Sequence, residues 1–345
     1  MTESLNELER FCYGLPKAEL HLHLEGTLEP ELKFELARRN GIELVESTVE
    51  EVKATYDFTD LTSFLAVYYP AMQVLQTAQD FEDLAWEYLR RAHEQGVVHV
   101  EMFFDPQAHT SRGVPFADVI GGYRRAAVRA QRELAMSAEL IMCFLRDFSA
   151  EYAMATLMEA LPYKEWILGV GLDSDERGNP PSKFAEVFAR ARREGFLLTM
   201  HCDIDQPGSI EHIRQVIEDI GVDRIDHGTN VLEDERLVEE VLRRGLGLTS
   251  CPKSNSFVTE EMKSEEIVTL LRRGAAITVN SDDPAYFGGY VAENYVALAE
   301  HAGLSREELV QLAENSFKAS WLTPARRERY IEQVREYGQP TSRRS

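Results

Sequence analysis

Pro16-Lys17-Ala18-Glu19-Leu20-His21-Leu22-His23-Leu24-Glu25-Gly26 is the stretch on which the reading of this chain turns. From Ala18 to Leu24 apolar and polar residues alternate, the period of a strand, and side chains two apart on a strand face the same way. His21 and His23 therefore present two imidazoles to one side. Two imidazoles are half of a metal site, and the remaining ligands must come from elsewhere in the chain.

Working outward, similar apolar, β-branched runs recur. The spacing predicts eight strands, at Ala18–Leu24, Val97–Phe104, Leu140–Phe148, Ile167–Leu172, Phe196–His201, Arg224–His227, Leu246–Thr249 and Ala275–Asn280. Amphipathic stretches separate most of them: Ala117–Ala135, Ala150–Ala160, Lys183–Arg193, Ser209–Ile220 and Glu233–Arg244. Strand–helix alternation builds a parallel sheet, and eight repeats predict an α/β fold, a closed (β/α)8 TIM barrel. A doubly wound open sheet is the competitor, but no Gly-rich dinucleotide loop follows the first strand.

The first connection, Glu29 to Gly96, is far longer than an ordinary βα loop and reads as a helical insertion over about 29–96. Its aromatics Tyr56, Phe58, Phe64, Tyr68 and Tyr69 face a pocket or pack a helix pair on the barrel rim. From Tyr286 to Tyr337 the pattern is helical, giving extra C-terminal helices, and Gln339–Ser345 is expected to fray. No linker or repeat interrupts the chain, so residues 1–345 are expected to form a single domain.

Composition narrows the function. The 345 residues are 44% hydrophobic and 28% charged, which is globular, and the net charge is −22. So acidic a chain lacks the basic face that nucleic acid or an anionic membrane requires. Cys12, Cys143, Cys202 and Cys251 are scattered without a disulfide or Cys-x-x-Cys pattern and are expected to be reduced and structural. Met1–Leu5 has neither the basic start nor the apolar run of a signal peptide, and no run is long enough to span a bilayer, so a cytoplasmic location is expected. Homo-oligomer formation is left open.

In such barrels chemistry sits at the C-terminal strand ends. Here those ends carry His21-x-His23, His201-Cys202-Asp203-Ile204-Asp205, Asp226-His227-Gly228 and Asn280-Ser281-Asp282-Asp283-Pro284. Each has an ordinary reading alone: a strand-end His is a satisfied polar residue, and Asp-Asp-Pro is a helix N-cap or turn. His93, His99, His109, His212 and His301 stay in that class. In succession on one rim, buried histidines and carboxylates are costly unless paired or bound to metal. Three neutral imidazoles and Asp282 suit zinc, with iron or manganese as alternatives. His227 and Asp282 are candidates to accept a proton from a metal-activated water.

These residues resemble the adenosine/adenine deaminase family of the amidohydrolase superfamily. The likeness runs from about Leu15 to Leu322. It is carried by Pro16–Gly26, Arg224-Ile225-Asp226-His227-Gly228, Cys251-Pro252-Lys253-Ser254-Asn255 and Asn280–Pro284. The resemblance implies one zinc ion per subunit on His21, His23, His201 and Asp282. It implies that His227 positions and deprotonates water, that Asp283 bonds purine N7, and that the Gly171 backbone meets N3. Water adds at C6 and ammonia leaves. Phe103-Phe104-Asp105-Pro106-Gln107, Gly171-Leu172-Asp173-Ser174 with Pro180–Phe184, and Glu25 look more like the free-base adenine branch. Glu25 either fills space a ribose would occupy or supports a metal ligand, and Phe58 and Phe64 are expected at the substrate.

One departure stands out. The family has His-Ala-Gly-Glu at the fifth strand, its Glu carrying a proton to purine N1, whereas Ile204 holds that position here. Either Asp203 or Asp205 replaces the Glu through a re-routed loop, or the substrate differs, or catalysis is lost. Adenine is the first expectation; adenosine, an N6-substituted adenine or a non-catalytic purine-binding barrel are the alternatives. A binuclear hydrolase is disfavoured because strand four, Trp166 to Asp173, has no lysine.

Overall fold

The computed structural model describes residues 6–202, 206, 208–259 and 261–339. Eight strands form one parallel sheet in chain order: β1 (Lys17–Glu19), β2 (Val97–Phe104), β3 (Ser137–Leu145), β4 (Ile167–Asp173), β5 (Leu197–Cys202), β6 (Arg224–His227), β7 (Gly247–Ser250) and β8 (Ala276–Val279). Strands 2 to 8 overlap the expected runs, with β3 beginning and ending three residues earlier than Leu140–Phe148, and nearly all their residues are buried, as a sheet covered by helices requires.

β1 is shorter than expected, and the two histidines lie just beyond it. Leu20 N–H bonds the Asn280 side chain (2.9 Å) rather than a neighbouring strand, which ends the ladder. The backbone then pairs to both sides in turn. Asp282 N–H reaches His21 O (3.1 Å) and His23 N–H reaches Asp282 O (3.0 Å), while Phe103 N–H reaches Leu22 O (2.8 Å) and Leu24 N–H reaches Phe103 O (2.9 Å). These isolated bridges join the segment after β8 to β2 and complete the (β/α)8 barrel. They also keep the two-residue alternation of His21 and His23.

The insertion consists of helices Pro30–Asn40, Val49–Ala54, Leu61–Ala71 and Ala78–Glu94. Asp60 caps Leu61–Ala71 by accepting from Ser63 N–H (2.8 Å), which fixes where that helix starts over the mouth. Helices Val291–Ala302, Arg306–Lys318 and Pro324–Gly338 follow β8. All four cysteines are buried, and none is in a disulfide among the described residues. No helix among the described residues is long and apolar enough to cross a membrane.

Candidate active site

At the C-terminal mouth the ligating atoms of His21, His23, His201 and Asp282 lie within 4.8 Å of one another, all buried. Asp282 Oδ1 is 3.1 Å from His21 Nε2 and 3.4 Å from His23 Nε2, and the Nε2 atoms of His23 and His201 face each other at 3.1 Å. Hydrogen bonds behind the rings set which nitrogen faces inward. The Thr249 hydroxyl donates to Asp226 Oδ1 (3.0 Å), so it must accept from His21 Nδ1–H (2.9 Å), leaving Nε2 as a lone pair. His201 Nδ1 faces Asp226 Oδ2 (3.5 Å), and His23 Nδ1 faces Asp173 Oδ2 (3.4 Å). Carboxylates behind imidazoles orient the rings and make them better ligands.

The residues fit a single cation. His21 Nε2 is buried without a hydrogen-bond partner, and inward lone pairs at such spacing repel unless something positive lies between them. Burial opposes a charge on His23, yet Asp283, Asp282 and Asp173 raise its pKa well above the ordinary value, so positive charge is favoured there. Burial alone would raise Asp282, but His21 and then His23 and His227 hold it well below the usual carboxylate range, ready as an anionic ligand.

His227 stands beside the cluster, its Nε2 3.9 Å from Asp282 Oδ2. Burial, with His21 next, lowers its pKa to about 4, so it is neutral at pH 7 and free to accept a proton. His227 and Asp282 both have left-handed backbones (φ 57° and 65°), as does Ser174 at the pocket edge (φ 73°). For non-glycine residues such geometry costs about 1–3 kcal/mol each and is retained where surrounding structure holds a side chain in place.

Asp283 is the N-cap residue of the short helix Pro284–Phe287, but its side chain does not cap it. The carboxyl instead lies in the pocket wall with Oδ1 unpartnered. Gly26 makes room for it: a Cβ at residue 26 would stand 2.0 Å from Asp283 Oδ1. The rest of the pocket is roofed by Leu61, Phe64, Leu65, Tyr68 and Tyr69 of the insertion, with Val258 and Phe287 at its side. Tyr69 OH ties the roof to the rim by donating to Ser174 Oγ (2.8 Å).

The structure places three expected residues elsewhere. Gly171 lies below the pocket, where a Cβ would meet Cys143 Sγ at 2.5 Å; at that rim the lining residues are Asp173 and Ser174. Glu25 is fully buried and does not line the pocket. Its Oε1 accepts from Tyr123 OH (2.8 Å), His109 Nε2–H (2.9 Å) and the Asp105 backbone N–H (3.3 Å), so three donors fix it behind the pocket wall. Phe58 packs edge-on behind Phe64 (5.4 Å between centroids), and Phe64 is the ring at the pocket. Asp203, Ile204 and Asp205 lie outside the described residues.

Among the acidic lining residues, Asp105 after β2 and Asp173 at the end of β4 appeared in the sequence reading only within motifs and were given no role. Burial first, then neighbouring acids, pushes the Asp105 carboxyl well up, and burial raises Asp173 to about 6. Both follow the rule that flagged Asp282, a polar residue at a C-terminal strand end.

A (β/α)8 barrel with one centre of three histidines and an aspartate, and a neutral imidazole beside it, defines a class of metal-dependent hydrolases. The chain belongs to the adenosine deaminase family, whose model matches residues 16–337. Adenine deaminases of Wolinella succinogenes and Zymomonas mobilis are 50% and 48% identical to it, covering 95% and 96% of this chain and 99% of each relative. The crystal structure of adenine deaminase from Arthrobacter aurescens superposes with a TM-score of 0.90 at 42% identity, covering 94% of this chain and 99% of that one.

Proposed function

We propose that this chain, acting as one domain, hydrolyses adenine to hypoxanthine and ammonia with one zinc ion held by His21, His23, His201 and Asp282. The observation that carries the reading is the convergence of those four ligating atoms, with His227 alongside, on the floor of an aromatic-roofed pocket. The substrate follows from relatives that share nearly the whole chain and are named adenine deaminases. When bound, zinc supplies a Lewis acid that lowers the pKa of water to about 7.

The protein's own groups do the rest. His227 takes the proton of the attacking water and holds it over C6. Asp283 holds N7, which turns C6 toward His227, and the Ser174 backbone takes the place first given to Gly171 at N3. Asp203 or Asp205 delivers a proton to N1, so that the ring nitrogen is neutral as C6 becomes tetrahedral. Proton return to the amino group lets ammonia leave. The aromatic roof excludes water, which strengthens each of these polar contacts.

The test is ammonia release from adenine, adenosine and N6-methyladenine by zinc-loaded protein. Adenine is expected to react fastest. Release from adenosine alone would move the substrate to the nucleoside, and release from none would end the deaminase reading. Asp203→Asn and Asp205→Asn then separate the shuttle: one is expected to slow turnover far more than the other, and equal mild losses remove both.

A further inference from the structure

We propose that Asp105 determines specificity for the free base by accepting the N9–H proton of the purine, a proton that a nucleoside lacks. The inference rests on the adenine reading above and adds a residue to it.

Asp105 follows β2 at the start of helix Pro106–Thr110, yet its side chain makes no capping bond. It is 1% exposed and lines the pocket, with Oδ1 buried and unpartnered. A buried carboxyl without a donor is costly, so a ligand donor is the natural complement. The Asp173 carboxyl lies beside that of Asp105 and is itself turned toward His23 Nδ1 (3.4 Å), which leaves Asp105 Oδ1 without a donor. The backbone of Asp105 is held from behind by Glu25, which Tyr123 and His109 fix in turn, while Arg112 donates to His109 Nδ1 (3.0 Å). What the Glu25 carboxylate of this buried scaffold holds by a backbone hydrogen bond is Asp105.

The order of strands round the mouth identifies the atom. Around the purine perimeter the sequence is C6, N7, N9, N3. Around the barrel, His227 follows β6, Asp283 follows β8, Asp105 follows β2 and Ser174 follows β4. With C6 at His227, N7 at Asp283 and N3 at Ser174, the remaining atom, N9, falls to Asp105. β2 stands across the barrel from β6, and N9 likewise lies across the ring system from C6.

The experiment compares kcat/KM for adenine and 9-methyladenine in the zinc-loaded wild type, Asp105→Ala and Asp105→Asn, with zinc content and Tm measured for each. A site built around a ligand N–H rejects an analogue lacking it by about 10⁴-fold. The wild type is expected to prefer adenine by at least about 10³-fold. Asp105→Ala, which removes the acceptor and opens space for the methyl group, is expected to lower that preference to about 10-fold or less, mainly through adenine KM. Asp105→Asn keeps an acceptor oxygen and is expected to retain most of the preference. A preference unchanged in zinc-replete Asp105→Ala overturns the proposal, as does a wild type that turns over both purines equally, whether or not the variants fold. A wild type inactive on both overturns the adenine reading itself.

Discussion

Gly26→Ala is the smallest change that tests how the pocket is built. The added Cβ would lie 2.0 Å from Asp283 Oδ1 and 2.7 Å from both its Cγ and its Cα, whereas ordinary contact begins at 3.4 Å. The carboxyl can swing away, but the Cα belongs to the backbone and must retreat by roughly 0.7 Å, taking the preceding Asp282 with it. Overpacking of this kind costs about 1–3 kcal/mol of stability. A displacement near 1 Å at a reacting centre costs about 100-fold in rate. Steady-state hypoxanthine formation should therefore show kcat/KM for adenine lowered about 30- to 100-fold, with a lower Tm by differential scanning calorimetry. Activity within threefold of wild type at unchanged Tm would refute the reasoning, because Asp283 would then not depend on the space over residue 26.

Three further outcomes are expected. Thr249→Val keeps the side-chain shape but removes the link between His21 Nδ1 and Asp226, so zinc affinity should fall about 10- to 100-fold in a competitive chelator titration. Lys17 is fully buried at the other end of the barrel, its ammonium donating to Gln95 O (2.5 Å) near Cys12, Glu19 and Glu293, and burial lowers its pKa to about 7. The unfolded chain then holds more protons than the native state between pH 7 and the ordinary lysine range, so stability from this group is lowest at and below about pH 7 and rises with pH, by about 5 kcal/mol at most. Urea unfolding of Lys17→Met at pH 7 and pH 9.5 should show that rise reduced relative to wild type. Phe64→Ala opens the roof beside Tyr68 and Phe287 and should raise adenine KM more than it lowers kcat.

Much of the barrel was legible because its strands are short apolar runs between amphipathic helices, a pattern that survives without neighbours. Helix Ala150–Ala160 was anticipated to the residue, since Ser149 caps its start and the apolar face is continuous. The end of β1 was not legible: its ladder stops because of Asn280, 260 positions away. The proximity of His21, His23, His201 and Asp282 was readable once strand order was assumed. The partners of Glu25 were not legible, because His109 and Tyr123 lie 84 and 98 residues distant and carry no shared spacing. Gly171 came from the resemblance alone, and the sequence carried no sign that its place is set by packing under Cys143 while Ser174, with a positive φ, stands at the rim. Asp105-Pro106 repeats the form of Asp283-Pro284, an aspartate at a strand end before a short helix, and that echo was the available signal.

The account depends most on a single ion at the meeting point of β1, β5 and β8. Anomalous diffraction collected on either side of the zinc absorption edge, from crystals of the zinc-loaded protein, tests it most directly. One peak is predicted, about 2 Å from Nε2 of His21, His23 and His201 and from an Asp282 oxygen. A map with no peak there, or with the ion seated on other residues, would contradict it.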